Sequence, residues 1–115
     1  MPFTTNYRKW DVVLVSFPFS DFTSSKRRPA LIVSPDNVNT GRDVVIAFVT
    51  SQVDSPARVG DHRISNWEKA GLPKPSLVRL KFATVDKTII VKKFGQLDSG
   101  DQNIIKDNLV SFFTS

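Results

Sequence analysis

The chain has 115 residues, a hydrophobic fraction of 40%, a charged fraction of 23% and no cysteine. These values describe one globular domain. The missing cysteine excludes disulfide scaffolds, thiolate metal sites and cysteine nucleophiles. A formal charge of +5 and a pI of about 9.8 suit an anionic partner such as nucleic acid, an acidic protein segment or a membrane surface, but they also suit solubility alone. The placement of the cations must decide.

Residues 1–9 are polar and read as a loose leader to a single domain over 1–115. They lack the apolar core of a signal peptide. No apolar run approaches the roughly 20 residues that cross a bilayer as a helix. The expected location is therefore cytoplasmic, with no membrane partner.

Residues 11–17 are β-branched and apolar and end at Pro18, which predicts a strand. Residues 18–28 form a polar loop closing on three consecutive cations, Lys26, Arg27 and Arg28. A second strand runs over 29–34, with Pro29 at its start, where a missing N–H does least harm. Residues 35–42 read as a turn around Asp36, Asn37 and Gly41. The nearly unbroken apolar run 43–50 predicts a third strand buried on both faces. After a polar loop with Pro56, residues 61–64 suit a short strand. Ser65 or Asn66 is placed to cap a helical turn that Gly71 stops. Residues 77–82 alternate as a strand, and the run 89–91 is a candidate partner for it. Asp98 or Ser99 caps a final helix. Its stripe of Ile104, Ile105, Asn108, Leu109, Phe112 and Phe113 is a core or dimer face. Short strands followed by one helix predict a small antiparallel barrel covered on one side.

Much chemistry is missing. The five glycines are scattered, so there is no phosphate-cradling loop. His62 is the only histidine, which excludes a two-histidine metal site. It is the remaining acid–base candidate on its ordinary pKa alone. Asp36, Asp43, Asp54 and Asp61 lie around turns and are expected to serve turn chemistry or face solvent. Phe17 and Trp67 are expected to be buried. Phe19 and Phe22 fit either core contacts or base stacking.

The cations form two sets. Lys26, Arg27 and Arg28 repel one another at the mouth of a strand, and an anion would relieve that repulsion. Arginine's planar fork suits phosphate. Arg79 and Lys81, two apart, share one strand face. Together the sets outline a track for a phosphate backbone.

Three segments carry a resemblance. Asp11-Val-Val-Leu-Val-Ser-Phe-Pro-Phe19, Lys26-Arg-Arg-Pro-Ala-Leu-Ile-Val-Ser34 and Val45-Ile-Ala-Phe-Val-Thr-Ser51 resemble the MazF/PemK toxin endoribonucleases, and a weaker likeness continues through residues 76–86 into the final helix. Two features depart from the family pattern. Trp10 stands where the family usually has glycine, and Lys81-Phe82-Ala83 replaces a more polar stretch. The resemblance implies an SH3-like, CcdB/MazF-like barrel that forms homodimers and cleaves single-stranded RNA at short motifs without a metal or other cofactor. It implies a cognate antitoxin that occupies the RNA groove, with DNA binding through the toxin–antitoxin complex. The family's catalytic arginine and threonine map onto Arg28 and Thr50. Lys26, Arg27, Ser51, Gln52, Arg79 and Lys81 then stand as RNA contacts. Two rival readings remain open: a CcdB-like toxin that binds gyrase and cuts nothing, and a plain nucleic-acid-binding barrel. The nuclease reading requires Arg28 and Thr50 to meet in one positively lined furrow.

Overall fold

The computed structural model describes residues 6–17 and 26–115. Its framework is an antiparallel sheet of β1 (Asp11–Phe17), β2 (Lys26–Ile32), β3 (Asp43–Thr50), β4 (His62–Arg63), β5 (Leu77–Asp86) and β6 (Ile90–Gln96), in the order β4-β5-β3-β2-β1-β6. The sheet curls into a half-barrel. Two short helical segments interrupt it, α1 (Asp36–Asn39) and a 3-10 turn over Lys87–Ile89, and α2 (Ser99–Thr114) closes the chain.

Side chains alternate across a strand, and here both faces are buried. Val13, Val15, Phe17, Ala30, Ile32, Val44, Ile46, Val85 and Ile90 fill the concave core. Val12, Leu31, Ala47, Val49 and Val78 face the other way, against Ile64, Ala70, Leu72, Leu97 and Ile105 from the covering loops and α2. This accounts for the unbroken apolar run of β3, which shows burial on both sides.

Three local expectations change. Residues 35–42 contain a helical turn, α1, where a simple turn was expected. β2 begins at Lys26 rather than at Pro29, so the three cations lie in the strand and not in the loop before it. Residues 65–71 turn as expected, with the Ala70 N–H donating to the Asn66 carbonyl, and Gly71 stops them: its φ is +84°, and a Cβ there would meet the Phe94 carbonyl oxygen at 2.2 Å. The third change concerns β6, which pairs with β1 and not with β5. The 3-10 turn redirects the chain after β5, and Asp86 caps that turn through the Thr88 N–H. The sheet then ends at β6 on one side and at the two-residue β4 on the other.

The stripe on α2 is only partly covered. Ile105 is buried and Leu109 packs on the core, whereas Ile104, Phe112 and Phe113 are exposed. Asp98 is the cap, accepting from the Gly100 N–H.

Two buried carboxylates tie loops to this frame. Asp11 accepts from the Arg8 N–H and the Gln96 side chain and lies 3.2 Å from the Lys93 ammonium. Asp101, 1% exposed, accepts from the Ser65 and Asn66 N–H groups and bonds His62 Nε2 at 2.7 Å. It thereby pins β4 and the following turns to α2.

Trp10, next to Asp11, has φ 76°. A left-handed backbone costs a residue with a Cβ roughly 1–2 kcal/mol. That conformation explains why a glycine suits this position. The indole offsets part of the strain by packing on the core around Val12.

Removing the Asp101 side chain (D101A) should lower unfolding free energy by about 2 kcal/mol in urea titrations, because it leaves the partly buried Ser65 and Asn66 N–H groups and His62 without their acceptor. Burial pushes the Asp101 carboxyl up, but the hydrogen bonds from His62, Ser65 and Asn66 and the histidine charge outweigh it, so the net shift is downward. Its contribution is therefore complete above the ordinary value of 3.8 and disappears as pH falls through the lower folded value. Below pH 3.8 the urea midpoint of the native chain should fall more steeply than that of D101N. At Trp10, W10G should be more stable than W10A by about 0.5–1 kcal/mol, since only glycine escapes the left-handed strain.

Candidate nucleic-acid interface

The candidate site grows from a split between two strands. The β2–β3 ladder pairs Ala30 with Phe48, Leu31 with Ala47 and Ile32 with Ile46, and stops there. Both strands continue past that point. Residues 26–29 of β2 stay paired with β1, with Arg28 opposite Val15 and Lys26 opposite Phe17. Residues 49–50 of β3 stay paired with β5. Pro29, at the end of the ladder, has no N–H to offer. The strands therefore border an opening.

Carrying the same register two residues beyond the ladder sets Arg28 across this opening from Thr50. Parity agrees. Ala30 and Ile32 face the concave core, so Arg28 and Lys26 share that face. Phe48 and Ile46 do the same for Thr50. Arg27 alternates to the opposite face. Lys26, Arg27 and Arg28 are all exposed. None of the three has a side-chain hydrogen bond or ion pair among the described residues. A guanidinium left without a carboxylate keeps all its donors for an incoming anion.

Thr50 is half-buried, and its hydroxyl oxygen accepts from the Gln52 N–H at 3.1 Å. With an oxygen lone pair used in this way, the hydroxyl hydrogen remains available to donate. Ser51 and Gln52 follow in an exposed turn.

The two β5 cations part company. Arg79 forms a two-point pair with Asp61, at 3.2 Å through Nε and 2.9 Å through the terminal nitrogen, with both side chains largely buried. Asp61 is held below the ordinary carboxylate range, chiefly by the Arg79 hydrogen bond. Asp61 thus does more than the turn chemistry expected of it. Lys81 is exposed, and its ammonium sits 5.3 Å from the centre of the Phe48 ring. Phe48 in turn stacks on Phe17 at 5.4 Å with an interplanar angle of 16°. A bulge between Ala47 and Phe48 separates the two cations, bringing Arg79 opposite Phe48 in the ladder.

His62 lies elsewhere. It pairs with Val78 on the face carrying Val49, which is opposite to Thr50. Its Nε2 is bound to Asp101 and its side chain is 12% exposed. The histidine is part of the α2 anchor and does not belong to the Arg28–Thr50 opening. Phe17 is buried as expected and Trp67 packs against the core. Phe19 and Phe22 lie outside the described residues. Among the described residues, no group of three or more histidine, aspartate or glutamate side chains is arranged to hold a metal ion, and no helix is long and apolar enough to cross a membrane.

Sequence reasoning missed Phe48 and Asp101. Phe48 looked like one more core residue of an apolar strand, although its place two residues before Thr50 already put both on one face. Asp101 sat unremarked in the first turn of a helix, where an acid also suits the helix dipole.

Comparison with known proteins agrees with this architecture. The family of PemK-like, MazF-like toxins of type II toxin–antitoxin systems matches residues 8–113, and the chain belongs to that family. No curated protein matches it in sequence. Among solved structures it is similar to an endoribonuclease in complex with its cognate antitoxin from a mycobacterial species, with TM-score 0.73 and 17% identity over 96% of this chain and 95% of that one. It is also similar to the Mycobacterium tuberculosis toxin MazF-mt6, with TM-score 0.69 and 18% identity over 90% and 95%. MazF from Deinococcus radiodurans gives TM-score 0.73 and 16% identity over 96% and 99%. At these identities the structural likeness establishes the fold.

The contrast between the β5 cations is measurable. Arg79→Ala should clearly lower stability, read as the urea midpoint, because it removes both side-chain hydrogen bonds to Asp61 and leaves that carboxylate only the Arg58 N–H. Lys81→Ala, at an exposed position, should change it by less than about 0.5 kcal/mol.

Proposed function

We propose that this toxin is a metal-independent endoribonuclease that cleaves single-stranded RNA by attack of the substrate's own 2′-hydroxyl. The observation that supports the reading is the β2–β3 register: extended two residues past its last pair, it brings Arg28, without a side-chain partner among the described residues, and Thr50 to facing positions on one face. Family membership supports the same reading.

In this reaction the 2′-oxygen bonds to phosphorus as its proton leaves to solvent. The 5′-oxygen departs in line with the bonding pair and takes up a proton, giving a cyclic phosphate and a 5′-hydroxyl end. Negative charge accumulates on the non-bridging oxygens. Arg28 can hold two of them at once through parallel N–H donors. Thr50 donates to a phosphate oxygen and fixes its orientation. Such preorganised donors act where charge develops, which is where they lower the barrier. Lys26, Ser51, Gln52 and Lys81 supply contacts for flanking nucleotides, and Arg27, on the other face of β2, adds positive charge behind them. Arg79, committed to Asp61, supports the strand from which Lys81 projects.

The partners follow from the same reading. A cognate antitoxin, the kind of partner carried by the mycobacterial neighbour, would cover the exposed cations of β2 and block substrate. An acidic segment suits that surface. The functional toxin is a homodimer acting in the cytoplasm.

Incubation of the purified chain with a long defined RNA in EDTA tests the proposal. Discrete cuts bearing 5′-hydroxyl ends are the expected outcome. Arg28→Ala should reduce cleavage at least a hundredfold and Thr50→Ala about tenfold to a hundredfold, with thermal midpoints near that of the unmodified chain. RNA left whole at high protein concentration would favour a gyrase-type poison or a binding-only barrel. Equal cutting by Arg28→Ala would remove Arg28 from the mechanism.

A further inference from the structure

Lys81 is the one β5 cation left facing the Arg28–Thr50 opening, and its position has a structural cause. A lysine on an exposed strand normally samples many rotamers, so its charge is spread over a wide volume. Here the ammonium rests over the Phe48 ring. An aromatic face attracts a cation through its quadrupole. The ring cannot swing away, because Phe48 is packed into the concave core and stacked nearly parallel on Phe17. Phe17 is buried and fixed in β1. The result is a column of two rings and one ammonium anchored in the core. Arg79, two residues earlier, is withdrawn by Asp61.

The column stands beside the split. Phe48 is the last β3 residue laddered to β2, opposite Ala30. Thr50 and Arg28 lie two residues farther along their strands on the same face, a step of roughly 7 Å. A single-stranded backbone held between Arg28 and Thr50 therefore passes the Lys81 ammonium within one nucleotide step.

We propose that Phe48 is a positioning residue that holds Lys81 as the ligand for a backbone phosphate adjoining the one gripped by Arg28 and Thr50. The proposal rests on the nuclease reading for the identity of the ligand but has a readout that needs no cleavage. The ring restricts the lysine before substrate arrives, so less freedom is lost when the phosphate binds. The contact is with phosphate and tolerates any base.

The test is binding of a 2′-O-methyl RNA of the cleaved sequence, or of any defined 20-mer if nothing is cleaved, measured by fluorescence anisotropy over a range of salt concentrations. Each phosphate contact on a single strand contributes about 0.7 to the slope of log Kd against log salt. Lys81→Gln should reduce that slope by about 0.7. Phe48→Leu should reduce it by a similar amount while Lys81 is still present, and adding Lys81→Gln to Phe48→Leu should change little more. Phe48→Tyr, which keeps the ring face, should retain the original slope. With cleavage established, a single uncharged methylphosphonate next to the cleavage step should abolish the difference between the unmodified chain and Lys81→Gln.

An unchanged slope for the surface variant Lys81→Gln would overturn the proposal, and this variant does not depend on Phe48→Leu folding. Additive losses in the double variant would remove Phe48 as the positioning residue. Cleavage by the unmodified chain together with an unchanged Lys81→Gln slope would sink this inference alone. A Lys81-dependent slope without any cleavage would sink the nuclease reading and leave the phosphate contact standing.

Discussion

The site depends on the antiparallel register between β2 and β3. Side chains alternate with a strict period of two, so a slip of one residue would turn Arg28 away from the concave face and bring Arg27 onto it. Three pairs hold the register, and their side chains are almost wholly buried apart from Phe48. Ala30 and Ile32 meet Phe48 and Ile46 on the concave side, while Leu31 and Ala47 meet on the other. A slip of β2 would turn Ile32 into the core that Leu31 now fills and Leu31 into the core of Ile32, so both well-packed clusters would have to rearrange. The core thus fixes charged groups that would otherwise repel one another at the mouth of an opening.

Separation of roles between the two faces follows from the same frame. The concave face carries Lys26, Arg28, Lys81 and Thr50 at its open end. The opposite face carries the α2 anchor, where Asp101 gathers His62 and two backbone N–H groups. His62 is thereby committed to holding the fold. The Asp61–Arg79 pair does similar work along β5 and leaves Lys81 as that strand's exposed charge toward the opening. Asp61 is thus held by Arg79 rather than left free to compete with an anionic ligand.

Much of this was legible in the sequence, for identifiable reasons. The apolar runs at 11–17 and 43–50 and the capped terminal helix gave the main elements, because a run of β-branched residues and an Asp cap are local signals. The run at 89–91 was visible too, but its partner was not. Pairing β6 with β1 depends on how far the sheet curls and on a 3-10 turn at Lys87–Ile89, neither of which local pattern encodes. Arg28, Thr50 and Lys81 could be picked out from charge and family pattern. Their unequal freedom could not, since the partner of Arg79 lies 18 residues away and that of His62 lies 39 away. The glycine-to-tryptophan departure at position 10 was visible as an oddity, and only its φ of 76° gives it a meaning.

The two ends of the sheet have a consequence for a protein made to act on other molecules. One end is a strand of only two residues. The other, β6, carries Lys92 and Lys93 and meets β1 through two register shifts. Neither offers a long, flat, uncharged row of backbone groups to another copy. Strand-by-strand pairing between copies at these two edges is disfavoured by geometry and by mutual repulsion of the lysines.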